Sequence, residues 1–227
     1  MIEFLYNNAI SNNADVSICG WRRINSDGLT IEMETSGKDV ILNNIESTKA
    51  LFNGKLFEGY VWNKLFKGEY FRKFNIRYKE NIKNFEETLV VYEIFKHINR
   101  AFYSPKPYYN YYLNPNSLTH QSGLTRVTGL SALDIMLDQE TNQSIRKEIL
   151  KKKIELAANV CYSEIHNYKD NTYAIFHDIA RKNILFIIFY LNNYSFKEKF
   201  SILYSILFPK QFISFQEKYR SFKSNIK

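Results

Sequence analysis

Every strand-like stretch of this chain lies before residue 123, and after Gly129 apolar residues recur only at helical spacing. The chain therefore joins a mixed α/β part, residues 1–125, to an all-helical part, residues 126–227. In the first part Ile2, Leu5, Tyr6, Ala9 and Ile10 predict a helix from the first residue, with no Ser, Thr or Asp ahead of it to cap its N–H groups. "DVSICGW" at 15–21 reads as a strand, and Asp27-Gly28 reads as a turn into the alternating Leu29, Ile31 and Met33. Ile41, Leu42, Ile45, Leu51 and Phe52 predict a helix closed by Asn53 and Gly54. A further helix is predicted over 85–98, with Asn84 as its cap and Val91, Ile94, Phe95 and Ile98 along one face. "AFYSPKPYYNYYLNPNSLTH" is too punctuated by proline for a helix and reads as extended chain ending in a turn at 114–116. In the second part Ile154, Ala157, Cys161 and Ile165 fall on one helical stripe.

Composition narrows the class. A chain that is 45% hydrophobic and 24% charged is globular, not disordered. The net charge of +8 favours acidic partners such as nucleotide phosphates, nucleic acid or an anionic membrane face. Cys19 and Cys161 lie far apart among apolar neighbours, which predicts buried reduced thiols and a cytoplasmic setting. The longest apolar run, "ILFIIFYL" at 184–191, is too short to span a bilayer, and no secretory signal opens the chain.

"LFEGYVWNKLFKGEYF" at 56–71 poses the sharpest local question, because it sets an amide and an ammonium beside a tryptophan inside an apolar run. Buried polar groups without partners are costly, so Asn63 and Lys64 either lie at a surface or are engaged. "NFEET" at 84–88 puts the carboxylates Glu86 and Glu87 at a helix start, where the helix dipole favours them and a capping role is the plain alternative to chemistry.

Taken in order, "DVSICGW", "VWNKLFK", "NFEET" and "YYNYYLNPNSLTH" resemble the second half of a bacterial family 2 glycosyltransferase of the GT-A fold, over about residues 1–122. The resemblance implies a partial GT-A half domain, the acceptor side of the cleft, followed by a helical extension. It implies transfer of a sugar, of the hexosyltransferase type, from a nucleotide-sugar donor to a glycan or lipid-linked acceptor in surface polysaccharide synthesis. In the complete family domain a divalent metal, Mg or Mn, assists at an acidic DxD motif. No Asp-x-Asp occurs in these residues, so the resemblance implies a truncated chain that is inactive by itself and binds no donor tightly. Glu87 stands where the family carries its general base, one methylene longer than the usual Asp, with Glu86 beside it. Trp62, Asn63 and Lys64 fall on the acceptor side, Trp62 to stack on a sugar ring and the other two to bond hydroxyls or phosphate. The alternatives are a core position for Trp62 and a solvated or paired Lys64. His120, after "NSLT", is the candidate contact to the donor pyrophosphate. No residue spacing predicts a metal site within this chain.

The end of the chain, "FKEKFSILYSILFPKQFISFQEKYRSFK", combines Phe200, Leu203, Ile206 and Leu207 with Lys210, Lys218, Arg220 and Lys223, and Glu217 is the only acid after Phe208. Such a segment fits peripheral attachment to the inner membrane face, and the competing expectation is that it packs on "ILFIIFYL". Two rival functions stand beside the transferase. One is a non-catalytic interaction module. The other is a nucleic-acid-binding module, which the basic charge and many aromatics permit but for which no recognition motif is present.

Overall fold

The computed structural model describes residues 1–34, 37–113, 124–167, 169–190 and 195–215. It has the mixed α/β first part and the helical second part that the sequence predicts. The first part opens with α1 (Ile2–Ser11), which has no side-chain cap and buries only Leu5, while Ile2, Tyr6 and Ile10 stay exposed.

The central strand is β1 (Val16–Ile24), and its residues from Val16 to Trp21 are all buried. β2 (Thr30–Glu34) returns along its C-terminal end, antiparallel, after a turn in which Gly28 takes φ +78°, a conformation that favours glycine. β4 (Lys64–Phe66) pairs antiparallel with its N-terminal end, Val16 opposite Phe66. On its other edge β1 runs parallel to β5 (Ala101–Tyr112), which in turn pairs antiparallel with β3 (Val40–Leu42). The β1–β5 register slips between Cys19 and Trp21, where Pro105 and Pro107 interrupt β5. A proline donates no N–H to a ladder and is accommodated at such irregularities. Past the slip, β5 alternates between half-buried and exposed residues, so Tyr109 and Tyr111 share one face.

Ile41 and Leu42, predicted as helical, belong to β3 instead. The helix starts after them, as α2 (Asn44–Asn53), because Asn43 forms a capping box with Glu46. Gly54 closes it in the left-handed conformation, as predicted. Two further helices follow: α3 (Glu69–Lys73) and α4 (Glu86–Phe95). Tyr92, Phe95, Phe57 and Tyr103 are fully buried around α4 and β5, each large ring contributing about 2–3 kcal/mol of burial. At the N-terminal end of β1, Asp15 is 5% exposed and takes the Lys67 ammonium at 2.6 Å together with the backbone N–H groups of Asn99 and Arg100 at 2.8 and 3.2 Å.

By backbone contacts the chain forms two compact units, residues 1–121 with 125–149, and residues 122–124 with 150–227. The compact units divide later than the change in sequence character at 125. The reason is that α5 (Leu124–Gln139) packs within the first unit: the Tyr92 hydroxyl donates to the Met136 carbonyl and to Glu140, and the Lys83 N–H donates to the Thr128 hydroxyl. α6 (Gln143–Ser163) carries the chain into the second unit, followed by α7 (Asn171–Lys182), α8 (Ile184–Tyr190) and α9 (Phe196–Leu207). The predicted stripe of Ile154, Ala157, Cys161 and Ile165 is buried there. Both cysteines are buried and free, and burial pushes the Cys161 thiol up to about 12. Among the described residues no helix is long and apolar enough to cross a membrane.

Candidate active site

The Trp-Asn-Lys triplet closes the turn that leads into β4. Asn63 is 2% exposed: its Nδ2 donates to the Cys19 carbonyl at 2.8 Å, and the Cys19 N–H donates to its carbonyl at 3.1 Å. It thus occupies β1 between the stretches paired with β4 and β2. Lys64 is 7% exposed, and its ammonium donates to the carbonyls of Glu58 and Tyr60 at 2.7 and 2.5 Å and to Asn63 Oδ1 at 3.0 Å. An ammonium has three N–H donors, and these three acceptors match them. The ring of Phe57 lies 5.4 Å from the same nitrogen. Asn63 and Lys64 therefore direct their polar groups into the protein, not toward a sugar or phosphate, and this resolves how an amide and an ammonium sit inside an apolar run.

The turn they hold meets α4. A Cβ added at Gly59 would lie 2.0 Å from Thr88 Oγ1, so the backbone approaches α4 as closely as only glycine allows. Two residues further on, the Val61 N–H donates to Glu87 Oε2 at 3.0 Å. Glu87 does not cap its own helix, and neither does Asn84. The N-cap is Phe85, in the left-handed conformation at φ 63°, with no side-chain cap, and Asn84 Oδ1 is buried without a hydrogen-bond partner. A bulky residue in that region costs about 1–2 kcal/mol and is retained only where its surroundings enforce it. Those surroundings are α5: a Cβ at Gly129 would come 2.4 Å from Asn84 Oδ1 and 3.2 Å from the Phe85 ring.

Burial pushes the Glu87 carboxyl above its ordinary range, and the charge of Glu86, the first residue of α4, adds to the rise; the Val61 N–H and the Lys64 charge oppose it. Tyr78 and Tyr109 are pushed up as well, first by burial and then by the nearby Glu87 charge. A half-buried carboxylate with a raised proton affinity and one oxygen fixed by a backbone N–H is equipped to receive a proton.

Beside it stands an aromatic wall that links the turn to the sheet. Trp62 has Tyr60 stacked at 4.6 Å with an interplanar angle of 15° and Tyr109 stacked at 4.4 Å with 25°. Trp21 meets Trp62 edge-on at 5.9 Å, and Tyr111 lies tilted at 5.7 Å. The Arg23 guanidinium lies 5.5 Å from the Trp21 ring and pairs with Glu32. Trp62 is thus the centre of a stack, half-buried, with its neighbours' rings extending the surface. Tyr60, Tyr109, Tyr111, Trp21, Val61 and Gly59 were not among the sequence candidates. The i, i+2 spacing of Tyr109 and Tyr111 in "YYNYY" is the signal that places them together. His120 lies outside the described residues. Among the described residues no group of three or more His, Cys, Asp or Glu stands together as a fit for a divalent metal.

No protein-family model matches the chain. Over 121 residues, 52% of this chain and 35% of the other, it is 29% identical to a Bacillus subtilis (strain 168) protein named uncharacterized glycosyltransferase EpsJ. Its backbone matches a crystal structure of S. aureus TarS 1–349 in complex with UDP-GlcNAc at a TM-score of 0.53 and 11% identity, covering 97% of this chain and 63% of that one. The chain has a glycosyltransferase-like fold. It spans about a third of the length of the curated relative and less than two thirds of the TarS structure.

Proposed function

We propose that this chain supplies the acceptor side and the general base of a sugar transfer, with a nucleotide sugar as donor and a glycan or lipid-linked sugar as acceptor. The observation that carries the reading is the contact of Val61 with Glu87 beside the aromatic wall. In the reaction an acceptor hydroxyl attacks the anomeric carbon, the bond to the nucleotide diphosphate breaks, and Glu87 receives the hydroxyl proton. Oε2 is held by the N–H of Val61, which leaves Oε1 for that proton. The outer rings of the wall offer apolar faces to the C–H surfaces of a sugar. A Glu-for-Asp base needs the acceptor held about 1 Å further from the helix, which the turn at 58–62 sets.

The chain's only two tryptophans, Trp21 and Trp62, both sit in the wall, so intrinsic tryptophan fluorescence reads its occupancy alone. Titration with glucose-, galactose- and N-acetylglucosamine-containing disaccharides is expected to quench or shift that emission, and Tyr109→Ala is expected to weaken the response at least tenfold in apparent affinity. An emission that no sugar alters, together with a salt-dependent gel shift on single-stranded nucleic acid, would replace this reading with the nucleic-acid-binding one.

We also propose that the second unit meets an anionic membrane face. Phe196 is 87% exposed, Phe200 62% and Leu207 49%, and their spacing puts all three on one stripe of α9. Leu185 and Phe189 of α8 are exposed as well, while Ile202, Ser205 and Ile206 are the buried residues of α9. Lys197, Lys199 and Lys210 supply positive charge in the same segment, and the basic residues after 215 lie outside the described ones. Vesicle flotation is expected to recover the protein with anionic but not neutral lipid, and Phe196→Ser with Phe200→Ser is expected to abolish recovery. Equal recovery with both lipids, or none with either, removes the membrane from the reading.

A further inference from the structure

We infer that Lys64 is a positioning residue: its buried ammonium gathers the carbonyls of Glu58 and Tyr60, and the turn so closed aims the Val61 N–H at Glu87 and fixes which way that carboxylate faces. The inference rests on the reading of Glu87 as the base and assigns Lys64 a part in the same site that requires no contact with substrate.

Four restraints converge on the six residues from Glu58 to Asn63. Asn63 pins the end of the turn to Cys19 of β1 through two hydrogen bonds. Gly59 packs against Thr88, the neighbour of Glu87. The Lys64 N–H closes the chain back on the Val61 carbonyl at 3.1 Å. The fourth restraint is the ammonium, and it alone joins the two carbonyls that flank Gly59, so it sets the direction of the peptide units on either side of the close approach. In a trans peptide the N–H points away from the carbonyl, so turning the Tyr60 carbonyl inward to the cation turns the Val61 N–H of the same peptide unit outward, where it meets Glu87. A lysine suits this task because a compact ammonium on a flexible stem can donate to three acceptors at once, whereas the flat guanidinium of arginine would spread them apart. The groups that face Glu87 are Glu86 on its own helix, Lys64 and the Val61 N–H from the turn, Tyr78 from the segment before α4, and Tyr109 from β5.

The test is a pH titration of the Glu87 side-chain carboxyl by carbon NMR on the full chain, with the Val61 amide followed in parallel. In the unsubstituted protein the Val61 amide is expected to shift with the Glu87 midpoint. Lys64→Met, which keeps the stem and removes the cation, is expected to move the Glu87 midpoint to higher pH and to uncouple the Val61 amide from it, with near-ultraviolet circular dichroism still showing a packed wall. A folded Lys64→Met protein with both signals unchanged overturns the inference. Should that variant not fold, the unsubstituted protein decides: three acceptors on a residue only 7% exposed require the Lys64 ammonium to be protected from solvent exchange, and an ammonium exchanging as fast as surface lysines overturns the inference equally. The base reading fails separately, if Glu87→Gln leaves sugar transfer unchanged while these couplings persist.

Discussion

Glu87→Gln is expected to lower kcat for sugar transfer by about 10²–10⁴-fold, the range a positioned proton acceptor contributes. The assay is release of nucleoside diphosphate in a preparation that transfers sugar, whether the chain acts by itself or together with a nucleotide-binding domain. Glutamine keeps the size of the side chain and an oxygen for the Val61 N–H, so the turn at 58–62 stays closed. What it loses is the capacity to take the acceptor's proton. Stability separates this loss from a structural one. A carboxyl whose proton affinity is raised on folding stabilises the native state at low pH, and that contribution is lost as pH rises through the folded-state value. At neutral pH the charged Glu87 therefore works against folding, and the neutral amide should leave the unfolding midpoint unchanged or slightly higher. A drop in kcat with an unchanged or raised midpoint identifies a chemical role; an unchanged kcat removes it.

Asp15→Ala is expected to cost about 3 kcal/mol in the urea unfolding free energy, because it strips a buried, charged acceptor from two part-buried backbone N–H groups at once. The Lys67 partner is 44% exposed and can turn to water, so the ion pair itself adds little. Burial alone would raise the Asp15 carboxyl, but the hydrogen bond from Lys67 and the N–H groups of Asn99 and Arg100 more than offset it and hold the group below its ordinary value. Tyr70, packed close by, is pushed up to about 12 by burial and then by the Asp15 charge. The sign of the pH effect follows: a depressed carboxyl contributes stability above its unfolded value of about 3.9, and that contribution disappears as pH falls through the folded-state value. The difference in stability between the original protein and Asp15→Ala should therefore be full at pH 7 and shrink below about pH 4. A difference that does not change with pH would assign the loss to packing and not to the carboxylate.

Much of this architecture was legible because it is local. The buried run of β1, the Asp27-Gly28 turn, the Gly54 stop and the α4 face each follow from residues a few positions apart. Ile41 and Leu42 misled because two apolar residues ahead of a helix continue its period as well as they continue a short strand, and only pairing with β5 decides between them. The site was legible in part. Glu87 was singled out by the family resemblance and the Trp-Asn-Lys triplet by its polar groups in an apolar run, yet the partners they take are ones periodicity cannot reveal: Val61 is 26 positions from Glu87, and Asn63 is 44 from Cys19. The capping alternative for Asn84 and Glu87 was reasonable from spacing alone. It gave way because α5 presses on Asn84 and Phe85 and forces the helix to begin with a left-handed residue.

The parallel pairing of β1 with β5 has a consequence for how the protein comes to exist. Val16 finds Ala101 and Trp21 finds Tyr109 only after the whole intervening segment, with β4 and α4 inside it, has been drawn into a closed loop. Such long-range parallel pairing is slow, since chain entropy must be given up before the contacts can compensate. Trp21 stands at the start of that loop and Trp62 inside it, in the turn before β4, and Tyr109 and Tyr111, which complete the stack, come from β5. Tyr60 can stack on Trp62 locally, but Tyr109 and Tyr111 join the wall only when β5 docks. In refolding from urea, tryptophan fluorescence should therefore reach its native value only in the final, slowest phase, as Tyr109 stacks on Trp62, after the helical signal of α6 to α9 has already recovered, and a nascent chain would complete its aromatic wall last.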